Sequence, residues 1–215
     1  MVYSNQIASL ARTLLPALTS QRGHRILQAL RPALVYADNA QVYGPALRAI
    51  SESGIQAVQL VGSGHESVAG ARAFSELAAD ETPAVARAYE AITPDTHAKY
   101  LLTSGSTGTP KVVINTHRML CANQQQIAQA WRFLEQDKPV IVDWLPWSHT
   151  FGGNHNLNMV LCHGGTLYID DGRPVPGAIE KTVRNLKECE PNIHFNVPRG
   201  LDMLMGFFEE EPAFA

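Results

Sequence analysis

Cysteine, surplus positive charge and long apolar runs are what this chain has least of. Its 215 residues include three cysteines, Cys121, Cys162 and Cys189, far apart in sequence. An odd, scattered set fits reduced, buried thiols in a reducing compartment better than a disulfide framework. No apolar run approaches the roughly 20 residues of a membrane-spanning helix, which argues against a membrane partner. The N-terminus lacks the charged-then-apolar order of a secretory signal, and no Asn-x-Ser/Thr sequon occurs. A cytoplasmic location is therefore expected. Net charge is −3 and the pI about 6.2. With basic residues scattered rather than striped, nothing favours nucleic acid as a partner. Acids are also missing before Asp38, while Arg12, Arg22, Arg25 and Arg31 precede it. An organelle transit peptide has that bias, but Arg22 to Asp38 already reads as a helix running into a strand.

What is present is a regular alternation of apolar strands and helices. Gly23 to Leu30 has helical spacing, closed by Pro32. Ala33 to Ala37 and Ala57 to Val61 are short apolar runs of the buried-strand kind. Pro45 to Ile50, Ser67 to Ala79 and Pro83 to Ile92 read as helices. A turn at Thr93-Pro94-Asp95 precedes strands Ala98 to Thr103 and Val112 to Asn115. Thr116 is placed to cap a helix from His117 to about Leu134. Strands Val140 to Val142, Thr166 to Ile169 and Ile193 to Val197 are interleaved with helices Asn154 to Cys162, Ala178 to Cys189 and Pro198 to about Phe208. The expected class is α/β, with mostly parallel sheets covered by helices. The expected division is a βα-repeat segment, 1–96, followed by 97–215.

Between two strands lies Thr103-Ser104-Gly105-Ser106-Thr107-Gly108-Thr109-Pro110-Lys111. Gly105 and Gly108 permit backbone conformations in which successive N–H groups converge on an anion. Thr103, Ser104, Ser106 and Thr107 add hydroxyl donors, and Lys111 adds an ammonium. These are the parts of a polyphosphate cradle. The loop is not a Walker P-loop, in which Gly-Lys-Ser/Thr opens a helix. Here Thr109-Pro110 intervenes and Lys111 begins an apolar, β-rich run. The plainer reading is a connection rich in small polar residues. The lysine and the flanking strands favour the cradle.

Tyr100-Leu101-Leu102 followed by this loop resembles the signature of the adenylate-forming superfamily of acyl- and aryl-CoA ligases, peptide-synthetase adenylation domains and luciferases. Thr93-Pro94-Asp95-Thr96 and Thr116-His117-Arg118 also look like the family pattern, while Val112 stands where the family usually has glycine. The resemblance implies part of a large N-terminal adenylation domain. It implies that Thr103, Ser104, Gly105, Ser106, Thr107, Gly108 and Lys111 hold ATP phosphates while a carboxylate attacks the α-phosphorus. Mg²⁺ and coenzyme A are implied with ATP.

Asp143-Trp144-Leu145-Pro146-Trp147-Ser148-His149-Thr150-Phe151-Gly152-Gly153 resembles the family's second signature. By that likeness His149 orients the acid, and Phe151 and Gly152 line its pocket. His149, His155, Cys162 and His163 do not have metal-site spacing, so no metal ligands are assigned, and His155 and His163 read as structural. The stretch from Gly152 to Asp170 and Phe195-Asn196-Val197-Pro198-Arg199-Gly200 resembles feruloyl-CoA synthases, which join a hydroxycinnamate to coenzyme A. The likeness covers only the middle of a complete family member, and no Lys or Arg follows Arg199. The chain is therefore expected to be weak or inert alone, with self-association through unpaired strand edges. The alternatives are a non-catalytic nucleotide- or partner-binding remnant, a medium-chain acyl-CoA ligase or a peptide-synthetase domain.

Overall fold

The computed structural model describes residues 26–28, 30–80, 82–103 and 111–210. They form two compact units. One runs up to Thr93 and includes Leu102–Val113; the other comprises Pro94–Leu101 and the chain from Ile114 onward.

In the first unit, β1 (Leu34–Asn39), β2 (Val58–Ser63) and β3 (Arg72–Ala73) form one parallel sheet in that order. Tyr36 is opposite Leu60, and Leu60 is opposite Arg72. Helix α1 (Ala40–Glu52) packs through Ala40, Tyr43 and Leu47 on Ala37, Val61 and Val68. Asn39 starts it: its Oδ1 accepts from Gln41 N at 2.7 Å and Val42 N at 3.4 Å. The expected helix began at Pro45, but that proline lies inside α1. The Asn39 cap lets the helix start one turn earlier, on the polar end of β1. Gly62 is required where β2 passes β1, because a Cβ there would stand 2.6 Å from the Asp38 carbonyl oxygen.

The helix expected over Ser67 to Ala79 is absent. That segment holds 3₁₀ turns at His65–Ser67 and Phe74–Leu77 with β3 between them. Gly70 adopts φ +78°, a left-handed conformation that no right-handed helix contains. Helix α2 (Pro83–Glu90) follows, opened by its proline.

Strands β4 (His97–Thr103) and β5 (Lys111–Thr116) form a two-stranded sheet. At its base, Arg118 donates to both oxygens of Asp95, at 2.8 and 3.0 Å, and Arg118 N donates to Pro94 O at 2.7 Å. Arg118 holds the Asp95 carboxyl below its ordinary value through those hydrogen bonds and its charge. Thr116 caps α3 (His117–Ala130) by accepting from Met119 N at 3.3 Å. The helix ends sooner than expected and continues as a 3₁₀ turn, Arg132–Glu135.

In the second unit, β6 (Val140–Asp143) pairs in parallel with β7 (Thr166–Ile169). Ile141 packs with Ile127, Leu134, Met159 and Val160. Its neighbour Val142 packs with Val183, Leu186 and Leu204. Side chains alternate across a strand, so helices cover β6 on both faces, and its apolar run has no polar alternation. Helices α3 and α4 (Asn158–His163) supply the first cluster; α5 (Ile179–Cys189) and α6 (Pro198–Glu210) supply the second.

The strand expected over Ile193 to Val197 does not form. The Asn192 side chain takes the place of a ladder residue. Its Oδ1 accepts from Val140 N at 2.8 Å and its Nδ2 donates to Lys138 O at 2.9 Å. The thiols also depart from expectation. Cys121 and Cys162 are exposed and Cys189 is half-buried; all three are free. Among the described residues no helix is long and apolar enough to cross a membrane.

Asn39→Ala removes the acceptor for the first N–H groups of α1. It should lower unfolding stability by about 1 kcal/mol, read from denaturant melts, whereas Asn39→Asp should be nearly neutral.

Candidate active site

The C-terminal ends of parallel strands are where open α/β sheets place ligands, and β6 ends at Asp143. This aspartate is 2% exposed. Its Oδ1 accepts from Leu145 N and its Oδ2 from Asn156 Nδ2, both at 3.0 Å. Burial pushes its carboxyl up to about 6; the hydrogen bonds from Asn156 and Leu145 oppose that rise, and the charge of Asp170 adds to it. Asp170 lies just past β7, where its N–H donates to Asp143 O at 3.0 Å. The Asp170 carboxylate accepts from Thr182 Oγ1 at 2.6 Å, Asn185 Nδ2 at 2.8 Å and Gly172 N at 2.8 Å.

From Asp143 the chain turns through Pro146 into a π-helical segment, Thr150–Leu157. This begins four residues before the helix expected at Asn154. His149 N donates to Pro146 O at 2.9 Å, and Gly153 N donates to His149 O at 2.9 Å. Glycines are required at the entry. A Cβ on Gly152 would lie 2.6 Å from Pro146 O and 2.7 Å from Leu145 O, and one on Gly153 would collide with Trp147 O. Two amides tie the segment down from the other side. Gln124 Nε2 donates to Asn154 O and Asn154 Nδ2 donates to Asn115 Oδ1, both at 2.7 Å.

His149 caps this segment. Its Nδ1 accepts from Phe151 N at 3.2 Å, which assigns the remaining ring proton of the neutral imidazole to Nε2. The side chain is exposed, and Nε2 has no partner among the described residues. An outward donor on a fixed ring is what a carboxylate would need. Phe151 is half-buried in an aromatic group with His155 (5.7 Å) and Phe195 (6.1 Å). Trp131 stacks on Phe195 at 5.7 Å and 13°. His155 is 4.9 Å from Phe195 and hydrogen-bonds Asn156 Oδ1 at 2.8 Å. Burial holds His194 below its ordinary value; Asn196 beside it accepts from Trp144 Nε1 at 3.3 Å.

His149, Phe151 and Gly152 thus share one turn. Lys111 is exposed and opens β5. Ser104, Gly105, Ser106, Thr107 and Gly108 lie outside the described residues, as does the side chain of Thr103, whose backbone ends β4. Val112, in the position where glycine is usual, is half-buried. His163 is half-buried, with a buried Nε2 that has no partner among the described residues. Among the described residues no group of three or more His, Cys, Asp or Glu could hold a metal ion, so no magnesium ligand set is assigned to them.

The sequence reading did not name Trp131, and it quoted Phe195 only within the Phe195–Gly200 likeness, not as a site residue. The signal for the two aromatics was weak, since they lie on separate elements far apart in the chain.

Parallel strand pairs with covering helices, ending in this carboxylate-anchored turn, make an α/β domain. The chain belongs to the AMP-binding enzyme family, whose model matches residues 9–215. It is 29% identical over 107 residues to the long-chain-fatty-acid–CoA ligase heimdall of Drosophila melanogaster, covering 50% of this chain and 15% of that one. It is 41% identical over 75 residues to the medium-chain-fatty-acid–[acyl-carrier-protein] ligase TtuA of Teredinibacter turnerae, covering 35% and 11%. Its fold is similar to that of the luciferase-like enzyme of the nonluminescent mealworm Zophobas morio. That likeness has a TM-score of 0.59 at 16% identity, over 84% of this chain and 39% of that one. The chain therefore spans well under half the length of each of these proteins.

A carboxyl whose folded value is raised binds its proton more tightly in the folded state. The contribution of Asp143 to stability is therefore fullest below its unfolded value near 4 and is lost as pH rises through about 6. The whole loss is at most about 3 kcal/mol. Asp143→Asn should remove this slope, so the stability difference between variant and wild type should change between pH 4 and 7. A pH-independent difference in denaturant melts would show that Asp143 does not titrate this way.

Proposed function

We propose that the chain is part of an enzyme that activates a carboxylic acid with ATP, the acid being a hydroxycinnamate such as ferulate. A carboxylate oxygen attacks the α-phosphorus, the bond to the bridging oxygen breaks, and pyrophosphate leaves with that electron pair. The thiol of coenzyme A then displaces AMP from the acyl carbon. The thiol proton is released and a thioester forms. The observation that carries this reading is the His149 turn. Its Nε2–H faces outward, because Nδ1 is held by Phe151 N. Phe151 in turn joins His155, Phe195 and Trp131, whose faces and edges suit a flat aryl group.

In this reading Thr103, Ser104, Gly105, Ser106, Thr107 and Gly108 cradle the β- and γ-phosphates, and Lys111 neutralises charge on the departing pyrophosphate. His149 orients the acid by a hydrogen bond to its carboxylate, and Gly152 keeps the turn narrow beside it. Magnesium would add charge neutralisation on the phosphates. The family relatives that act on fatty acids support a second reading, a medium-chain acyl ligase. An aliphatic chain would fit the same apolar walls but gains nothing from ring geometry.

Calorimetry with ATP, ferulate and octanoate separates these. Lys111→Ala should weaken ATP binding about tenfold or more, the value of one charge-assisted hydrogen bond. His149→Ala should weaken ferulate binding and leave ATP binding unchanged. Unchanged ATP affinity in the lysine variant would remove the phosphate-loop assignment. Tighter binding of octanoate than ferulate would favour the aliphatic reading.

A further inference from the structure

His155 lies in the π-helical segment, six residues after His149, with its ring in the aromatic group. It meets Phe151 at 5.7 Å, Trp131 at 5.7 Å and Phe195 at 4.9 Å, each edge to face. Such packing holds the ring but leaves open which nitrogen carries the proton. The hydrogen bonds behind it decide that. The Asp143 carboxylate accepts from Asn156 Nδ2 at 3.0 Å, so the nitrogen end of that amide is committed to Asp143. Asn156 Oδ1, the other end, can only accept, and it stands 2.8 Å from His155 Nδ1. Asn156 is fully buried, which leaves solvent no access to this bond. Nδ1 of His155 therefore carries the proton, and Nε2 of the neutral ring is a bare acceptor.

Two histidines of one turn and segment are thus set in opposite senses. His149 accepts at Nδ1 and presents Nε2–H, whereas His155 donates at Nδ1 and presents a lone pair at Nε2. That nitrogen has no partner among the described residues, and unlike Nε2 of His163 and Nδ1 of His194 it is not sealed from solvent. A lone pair set among aromatic rings suits a donor carried on a flat, apolar body. A carboxylate has no proton to give, so the charged end of the acid belongs at His149 instead. A phenol has the required form, an O–H in the plane of its own ring.

We propose that His155 is a specificity-determining residue, its Nε2 accepting a hydrogen bond from a phenolic hydroxyl on the ring of the acid. This rests on the acid-activating reading above and adds to it the group that reads the ring substituent. The hydroxyl takes the place of water at Nε2. An acid with a bare ring displaces that water and leaves the acceptor unpaired, so it binds less well.

Nitrogen NMR of the wild-type imidazoles tests the tautomer with no ligand present. At about pH 8, where an ordinary imidazole is neutral, His155 should show a protonated Nδ1 and a bare Nε2. Calorimetry with 4-hydroxycinnamate, 4-methoxycinnamate and cinnamate tests the contact. Wild type should bind the hydroxylated acid about tenfold more tightly than either of the others, because a methoxy group cannot donate. His155→Phe keeps a ring in the aromatic group and should lose the preference; His155→Gln supplies an acceptor oxygen and should regain part of it. A protonated Nε2, a methoxy acid bound as tightly as the hydroxylated one, or a preference that survives in His155→Phe overturns the His155 assignment and leaves the acid-activating reading intact. If none of the three acids binds wild type, the acid-activating reading fails and the His155 assignment falls with it.

Discussion

The carboxylate of Asp143 holds together the turn on which the candidate site is built. One oxygen closes the chain back on Leu145 and the other anchors Asn156, so both ends of the stretch that carries His149, Phe151 and the two glycines hang from one side chain. Its burial costs free energy, as its raised pKa records. That cost is offset by the fixed geometry of twelve intervening residues, Trp144 to His155. Asp170 does the corresponding work for the neighbouring strand end through Thr182, Asn185 and Gly172. The two carboxylates at the ends of β6 and β7 therefore convert a pair of short strands into a fixed platform.

Rigidity at this point explains the local choice of residues better than packing does. Asn154 and Asn156 are buried polar groups, and Asn156 is fully inaccessible. Each satisfies a neighbour across a different element. The π-helical winding follows from the same demands. Gly152 and Gly153 must pass close to the carbonyls of Leu145, Pro146 and Trp147, and Asn156 must face Asp143. A widened turn meets both conditions, and π-helical turns are concentrated at functional sites.

Much of the fold was legible because its strongest signals are local. The apolar runs of β1, β2, β6 and β7, the Thr116 cap and the proline starts of α2 and α6 all appear close to where the residue types place them. Two failures have physical causes that composition hides. Ala-rich sequence around Gly70 has helix propensity, but the left-handed glycine interrupts it and the segment forms turns. The run Ile193 to Val197 has strand propensity. The Asn192 side chain takes the hydrogen bonds a ladder residue would need, and its backbone N–H also donates to Val140 O at 3.1 Å. In the second case tertiary hydrogen bonding overrides an intrinsic preference; in the first a local backbone conformation does.

The candidate site was legible in part for the same reason. His149, Phe151 and Gly152 are contiguous, and a contiguous motif can be read without knowing the fold. The aromatic partners are not contiguous: Trp131 ends α3, Phe195 lies beyond α5, and only packing brings them together.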